Sequence, residues 1–252
     1  MSSITIHGLV KLLDENGLRT DGRKLDELRK VKIEAGVLKN ADGSAYIEMG
    51  NNKIIVGVYG PREVRPKHLA IPYKSLIKCR YEMMPFSVSD RKPPSPSRRE
   101  IELSKAIREA LEPAIFTEEF PRTMIEIYIE VLEADGGTRT ASINAASVAL
   151  ADAGIPLRDL VTAVAVGKIE GKLALDINGL EDQYGDGDMP IAMMPQLGYV
   201  TLFQADGVFT PNEIEKAFNM ARTAIQRIYK IQKQALKSKY LKVTKEVEEI
   251  EL

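Results

Sequence analysis

The segment from Ile125 to Pro156 changes its hydrophobic period in the middle, and that change demands a strand and a helix joined end to end. Ile125, Ile127, Ile129 and Val131 alternate with Glu126, Tyr128 and Glu130, the two-residue period of a strand with one buried face. Ala141, Ala145, Ala146, Ala149 and Ala153 then keep side chains small enough for a helix to pack closely on what lies beneath, and Gly154 and Pro156 end it. The junction is Gly136-Gly137-Thr138-Arg139. A chain that turns through glycines into a helix presents unpaired N–H groups at the positive end of the helix dipole, and Arg139 adds a forked, permanently charged donor set. This predicts a phosphate-type anion site. The same residues also read as a plain strand-to-helix turn with Thr138 as N-cap, so a second feature has to decide.

The 252 residues are 44% hydrophobic, enough for a substantial core, and no Gly/Ser or Pro-rich linker divides them. No apolar run approaches a membrane span, and Met1-Ser2-Ser3-Ile4 lacks the pattern of a secretion signal, so a cytoplasmic protein without a membrane partner is expected. The single cysteine, Cys79, excludes an intramolecular disulfide framework. It alternates with Ile77, Tyr81 and Met83, which makes it a strand-face core residue rather than a nucleophile. A formal net charge of −1 argues against nucleic-acid binding through the whole surface and leaves local clusters as the route. Arg62, Arg65, Lys67 and His68 form one; Arg91, Lys92, Arg98 and Arg99 form the other. Their prolines predict extended loops outside any central strand. Merely solvated loops are the alternative reading.

Runs at 30–37, 44–49, 53–59 and 77–84 predict a β-meander. Ser97-Arg98-Arg99-Glu100 has the form of a capping box before Ile101, Ile107, Leu111 and Ile115, placing both arginines in a second anion-friendly first turn. Strands follow at 160–169, 173–177, 190–195 and 198–204. Thr210-Pro211-Asn212-Glu213 then starts a long helix with Thr210 as N-cap, whose apolar face runs through Ile214, Ala217, Ala221, Ile225 and Ile228. A frayed end is expected from Lys237. The order of elements predicts an α+β fold of layered sheets and helices with a long C-terminal helix.

Between Glu181 and Pro190 stand Asp182, Asp186 and Asp188 around Gly185 and Gly187. Read as a tight loop, it puts Asp182 and Asp188 on one side, as oxygen ligands for a hard divalent cation or as a proton donor to a leaving group. The spacing lacks the Ca²⁺-loop pattern, and a solvated acidic loop is the competing reading.

Gly136-Gly137-Thr138-Arg139-Thr140-Ala141, Glu181-Asp182 with Gly185, Asp188 and Pro190, and Met84-Pro85-Phe86-Ser87 followed by Arg98-Arg99-Glu100 together resemble the RNase PH family of phosphorolytic exoribonucleases. The likeness runs in order from Arg19-Thr20-Asp21-Gly22-Arg23 to the long last helix, and within the family it points to the catalytic ring subunits of archaeal exosomes. It implies a single RNase PH-like domain over 1–252, with a short extension at 1–17 and a charged tail from about 238. It also implies phosphate-dependent 3′-to-5′ removal of nucleoside diphosphates from single-stranded RNA, reversible to tailing. Carried over by motif, Gly137, Thr138, Arg139 and Ser142 would hold inorganic phosphate, Arg98 and Arg99 the RNA 3′ end, and Asp182 and Asp188 Mg²⁺ or the leaving-group proton. Some relatives carry a basic residue where this chain has Pro190, which puts the strength of metal binding in question. Arg65, Lys67 and His68 would grip a single strand at a ring's channel. A related inactive subunit in a hexameric ring and RNA-binding cap proteins are the implied partners. The alternatives are a non-catalytic RNA-binding scaffold, a self-sufficient homohexamer that trims transfer RNA, and a kinase-like phosphate binder, disfavoured because no Walker-type sequence is present.

Overall fold

A computed structural model describes residues 11–250, with side chains through Leu241. Most of the expected N-terminal extension, including Met1-Ser2-Ser3-Ile4, and the last two residues of the charged tail lie outside the described residues.

The first sheet contains β1 (Val31–Ala35), β2 (Gly43–Met49), β3 (Asn52–Glu63), β4 (Leu76–Met83) and β5 (Thr123–Glu133), in the order β1-β2-β3-β5-β4. The first three make the expected antiparallel meander, but β4 does not continue it. It runs parallel to β5 at the sheet edge, from Leu76 opposite Met124 to Met83 opposite Val131. The reason lies in the two faces. In β5, Ile125, Ile127, Ile129 and Val131 are fully buried, each contributing roughly 1.5–3 kcal/mol of burial. The strand with the most to bury takes the interior place, and β4, bearing Lys78, Arg80 and Glu82, takes the edge.

Pro61 also departs from expectation, since it lies within β3 and puts Arg62 on a strand rather than a loop. There β3 has run past β2, whose pairing ends with Gly43 opposite Val58, so no ladder partner needs the missing N–H.

The second sheet holds β6 (Thr162–Ile169), β7 (Lys172–Leu175), β8 (Gly187–Met194), β9 (Tyr199–Phe203) and β10 (Asp206–Gly207), ordered β10-β8-β6-β7 with β9 also on β8. Between the sheets runs α2 (Thr138–Asp152), which touches β2 and β3 on one side and β6 and β8 on the other. Among its fifteen residues only Arg139 and Ala151 are not buried, so the helix is built mostly of small residues, with buried polar groups such as Asn144 and Ser147 hydrogen-bonded to neighbouring backbone. One continuous core joins both sheets, α1 (Arg98–Leu111), α2 and α4 (Pro211–Ile250). Thr210 and Glu213 form the expected capping pair, with Glu213 N–H donating to Thr210 Oγ1 at 3.3 Å. The expected fraying from Lys237 does not occur: α4 is helical to Ile250, and Lys239 pairs with Asp152 at 2.5 Å. Cys79 packs half-buried against the core, and burial pushes its thiol up to about 12.

Candidate active site

The glycine pair does what its position suggests, with one correction. Gly136 and Gly137 both have φ of 65°, and Gly137 rather than Thr138 is the N-cap of α2; Thr138 is the first helical residue. Only glycine reaches this left-handed turn without strain, and a Cβ on Gly136 would stand 2.5 Å from the Asn178 carbonyl carbon. No side chain caps α2. Ala141 N–H makes the first intrahelical bond, to Gly137 O at 3.2 Å, so the N–H groups of Thr138, Arg139 and Thr140 have no acceptor within the helix.

Neighbouring side chains hold this turn. Asn52 Nδ2 donates to Gly136 O at 2.6 Å and Asn52 Oδ1 accepts from Asp135 N–H at 2.6 Å. Arg29 donates to Asp135 O at 2.5 Å and pairs with buried Asp176 at 2.7 Å. Tyr81 O–H donates to Thr138 Oγ1 at 2.9 Å, and burial pushes that phenol up to about 12, keeping it a neutral donor.

The acidic segment is not the expected loop. Asp182 lies on the short helix α3 (Gly179–Tyr184), and Asp188 is the second residue of β8. A capping box between Asn178 and Glu181 makes this helix: Glu181 N–H donates to Asn178 Oδ1 at 3.1 Å and Asn178 N–H to Glu181 Oε2 at 2.9 Å. Glu181 also pairs through both oxygens with Arg19, and both side chains are fully buried. Arg19 further donates to Leu175 O at 2.6 Å. Next to this anchor, Asp182 turns into the cleft.

The cleft itself is small, with about 30 Å³ of free space, and Arg99, Thr138, Arg139, Asp182, Asp188 and Pro190 line it together with Gly137. A larger apolar cavity of about 810 Å³ lies between the end of α2 and α4, lined by Leu157, Leu160, Tyr229 and Leu236, but it brings together no such set of arginines and carboxylates. Burial raises the Asp182 carboxyl above its ordinary range, opposed by Arg99, Arg139 and Arg29. Asp182 is nevertheless exposed at the cleft mouth and Asp188 half-buried, so the desolvation of Asp182 is partial. Asp188 is raised as well, by burial first and then by the charge of Asp182. Both carboxyls also feel Asp206, which stands opposite Asp188 on β10.

Arg139 forms no ion pair among the described residues; its Nη1 donates to Gln204 Oε1 and its buried Nε has no partner. Ser142, three residues along the same helix, is fully buried and outside the cleft lining, and its Oγ is also without a partner. Of these two unpartnered atoms only Arg139 Nε belongs to a residue that lines the cleft, where an anion would satisfy it. Arg99 reaches the cleft, whereas Arg98 is exposed on the same turn outside the lining. Arg65, Lys67 and His68 are exposed beyond the end of β3, where Glu63 pairs with Thr123 at the start of β5. The glycine turn follows the other end of that 11-residue strand, about 30 Å away. Lys67 pairs with Glu63 at 3.0 Å.

Sequence reasoning missed Arg29, Asn52, Tyr81 and Asp176, which hold the cradle, and Gln204 and Asp206, which face it. Tyr81 and Asp176 stand only a few residues before recognised motifs, but long-range pairing is what brings them all to the cradle. Arg19 stood in a recognised motif with no physical role attached; the partner that explains it, Glu181, is 162 residues away.

The profile of the 3′ exoribonuclease family matches this chain in two parts, domain 1 over residues 27–156 and domain 2 over residues 159–224. The exosome complex component Rrp41 of Thermococcus onnurineus is 58% identical over 238 residues, covering 94% of this chain and 96% of that protein. Its counterpart from Pyrococcus abyssi is 58% identical over 239 residues, covering 95% and 96%. Among solved structures, rice Rrp46 superposes with a TM-score of 0.79 at 25% identity, covering 87% of this chain and 100% of that one. The chain belongs to the 3′ exoribonuclease, or RNase PH, family. Among the described residues no helix is long and apolar enough to cross a membrane.

Proposed function

We propose that this chain is a phosphate-dependent 3′-to-5′ exoribonuclease, the catalytic subunit of an exosome ring. The observation that carries the reading is the pairing, across one cleft, of an uncapped helix start bearing a carboxylate-free arginine with two carboxyls raised by burial. An anionic nucleophile meeting an anionic diester is repelled by about 4 kcal/mol per unit charge pair at 4 Å and an effective dielectric near 20. Positive groups fixed beforehand are therefore what the reaction needs most.

In this reading the N–H groups of Thr138, Arg139 and Thr140, with the Arg139 guanidinium, hold inorganic phosphate, and Ser142 supports it from the next turn. Arg99 holds the phosphate at the RNA 3′ end, with Arg98 on the approach. A phosphate oxygen forms a bond to the terminal phosphorus, the bond to the preceding nucleotide's 3′ oxygen breaks, and that oxygen takes up a proton. The products are a nucleoside diphosphate and an RNA shorter by one residue; the reverse reaction extends RNA. The chemistry is phosphorolytic transfer, not hydrolysis.

Asp182 and Asp188 fit a Mg²⁺ ion. Among the described residues no three His, Cys, Asp or Glu converge as a metal cage, but Mg²⁺ is commonly held by one or two carboxylates with water and substrate phosphates completing the shell. Bound there, the ion would neutralise charge on the leaving oxygen. Without it, the raised carboxyl of Asp182 or Asp188 is the proton donor. Pro190 supplies no basic neighbour to this pair.

Arg65, Lys67 and His68, about 30 Å from the cleft, suit a distant grip on single-stranded RNA that still reaches the site. Related inactive ring subunits and RNA-binding cap proteins are the partners we assign, and the cytoplasm the compartment. A purely structural RNA-binding scaffold has no use for an anion cradle facing a carboxylate pair. Native mass of the isolated chain separates a mixed ring from a homohexamer. The central test uses 5′-labelled oligo(A) with Mg²⁺, with and without phosphate, alone and with the ring partner. Phosphate-dependent release of ADP is expected; AMP released without phosphate would sink the reading.

A further inference from the structure

We propose that Gln204 is a positioning residue for Arg139, orienting the guanidinium with a neutral amide so that its full charge remains for phosphate. This rests on the phosphorolytic reading above. The contrast with the other buried or half-buried arginines carries the argument. Arg19 pairs with Glu181, Arg29 with Asp176, Arg23 with Asp21 and Arg108 with Glu109. Arg139 shares a cleft with two carboxylates, yet its hydrogen-bond partner is the amide oxygen of Gln204. A carboxylate at that point would hold the arginine as firmly but offset its charge; an amide only aims it.

The aim is specific. With Nη1 committed to Gln204, the edge formed by Nε and Nη2 remains, and Nε is buried without a partner. That edge is the planar fork that binds two oxygens of one phosphate. Gln204 is itself held by the strand that bears Asp188. Its N–H donates to Pro190 O at 3.3 Å, and the flanking residues pair with the same strand, Phe203 with Ile191 and Asp206 with Asp188. The strands approach so closely that a Cβ on Gly187 would lie 2.3 Å from Asp206 O. One strand thus sets the separation between the arginine that receives phosphate and the carboxyl that serves the leaving group.

The test measures initial rates of oligo(A) phosphorolysis against phosphate concentration, in whichever assembly gives wild-type turnover, for Gln204→Met, Gln204→Glu and Gln204→Asn. RNA dissociation constants and melting temperatures are measured alongside. Losing a charge-assisted hydrogen bond or offsetting the charge raises the phosphate KM by about tenfold or more in the Met and Glu variants, with RNA affinity within about twofold of wild type. Relative to wild type at each pH, the Glu variant recovers as acidification restores a neutral acceptor, and the Met variant does not. The Asn variant, one methylene shorter, lies between. Wild-type phosphate KM in the folded Met and Glu variants overturns the proposal, as does equal loss of phosphate and RNA affinity, which marks a merely structural role. A wild-type enzyme whose rate ignores phosphate overturns the phosphorolytic reading instead, before any variant is compared.

Discussion

Two helices begin beside the same cleft, and they begin differently. At α1 the Ser97 hydroxyl accepts from Glu100 N–H at 3.3 Å, and the Glu100 carboxylate accepts from Ser97 N–H at 2.6 Å and Met83 N–H at 3.0 Å. That terminus is closed by its own side chains and carries a buried negative charge in its first turn. At α2 the cap is a glycine, no side chain closes it, and the charge in its first turn is Arg139. Both starts looked receptive to anions in the sequence, yet α1 gives its Glu100 N–H to Ser97 and buries a carboxylate in its first turn, whereas α2 keeps its first-turn N–H groups uncapped beside an arginine. At α1 the Glu100 carboxylate offsets the pull of that helix end on an anion, so in the proposed reading Arg99 acts through its side chain. The comparison teaches that a capping box competes with an anion for the same end of a helix.

Each variant below tries to break that contrast, beginning with the largest expected effect. Arg139→Ala lowers phosphorolysis at subsaturating phosphate by about 10²–10³-fold, the typical loss of a preorganised donor; unchanged phosphate dependence would remove α2 from the chemistry. Gly136→Ala, with φ of 65° and a backbone collision at Asn178, destabilises by about 1–3 kcal/mol and weakens phosphate use, read by denaturant melts and KM. Replacing Arg98 and Arg99 together by Ala lowers the salt slope of single-strand binding by about 0.7 per lost contact while the phosphate KM stays put. Ser97→Ala costs about 1 kcal/mol of stability, and it leaves the KM for inorganic phosphate unchanged because that phosphate sits at α2 in this reading.

The smallest effect is thermodynamic. Because the Asp182 carboxyl is raised in the folded chain, the folded state binds its proton more tightly than the unfolded one, and ionisation costs stability as pH climbs above the ordinary value of 3.8. Asp182→Asn therefore raises the melting temperature slightly at neutral pH, and the gain fades below about pH 4. A gain that persists in strong acid would mean the stabilisation is not electrostatic. The same variant should lose turnover.

Much of the fold could be read in advance because its signals are local. The alternation in β5, the Ser97/Glu100 box and the Thr210/Glu213 start each need only neighbours in the chain. What escaped was pairing. Nothing adjacent to residues 77–84 says that they lie beside residues 124–131, because register is decided by which strand has the most surface to bury. The acidic stretch was misread as a loop because its helix is only six residues long and depends on Asn178 and a distant arginine. The candidate site divided in the same way: Gly137, Arg139, Asp182 and Asp188 stand in motifs, whereas Gln204 and Asp206 reach the cleft only through strand pairing. No local pattern encodes that.

The buried pair of Arg19 with Glu181 also sets an order of events during synthesis. The arginine leaves the ribosome 162 residues before its partner, an interval of about 8–30 s at ordinary elongation rates. Until Glu181 emerges, the Arg19 guanidinium lacks the carboxylate with which it is buried in the folded chain, and α3 has no anchor. Arg99 and Arg139 are therefore synthesised before Asp182 and Asp188, and the carboxylate side of the cleft is the last to gain its anchor.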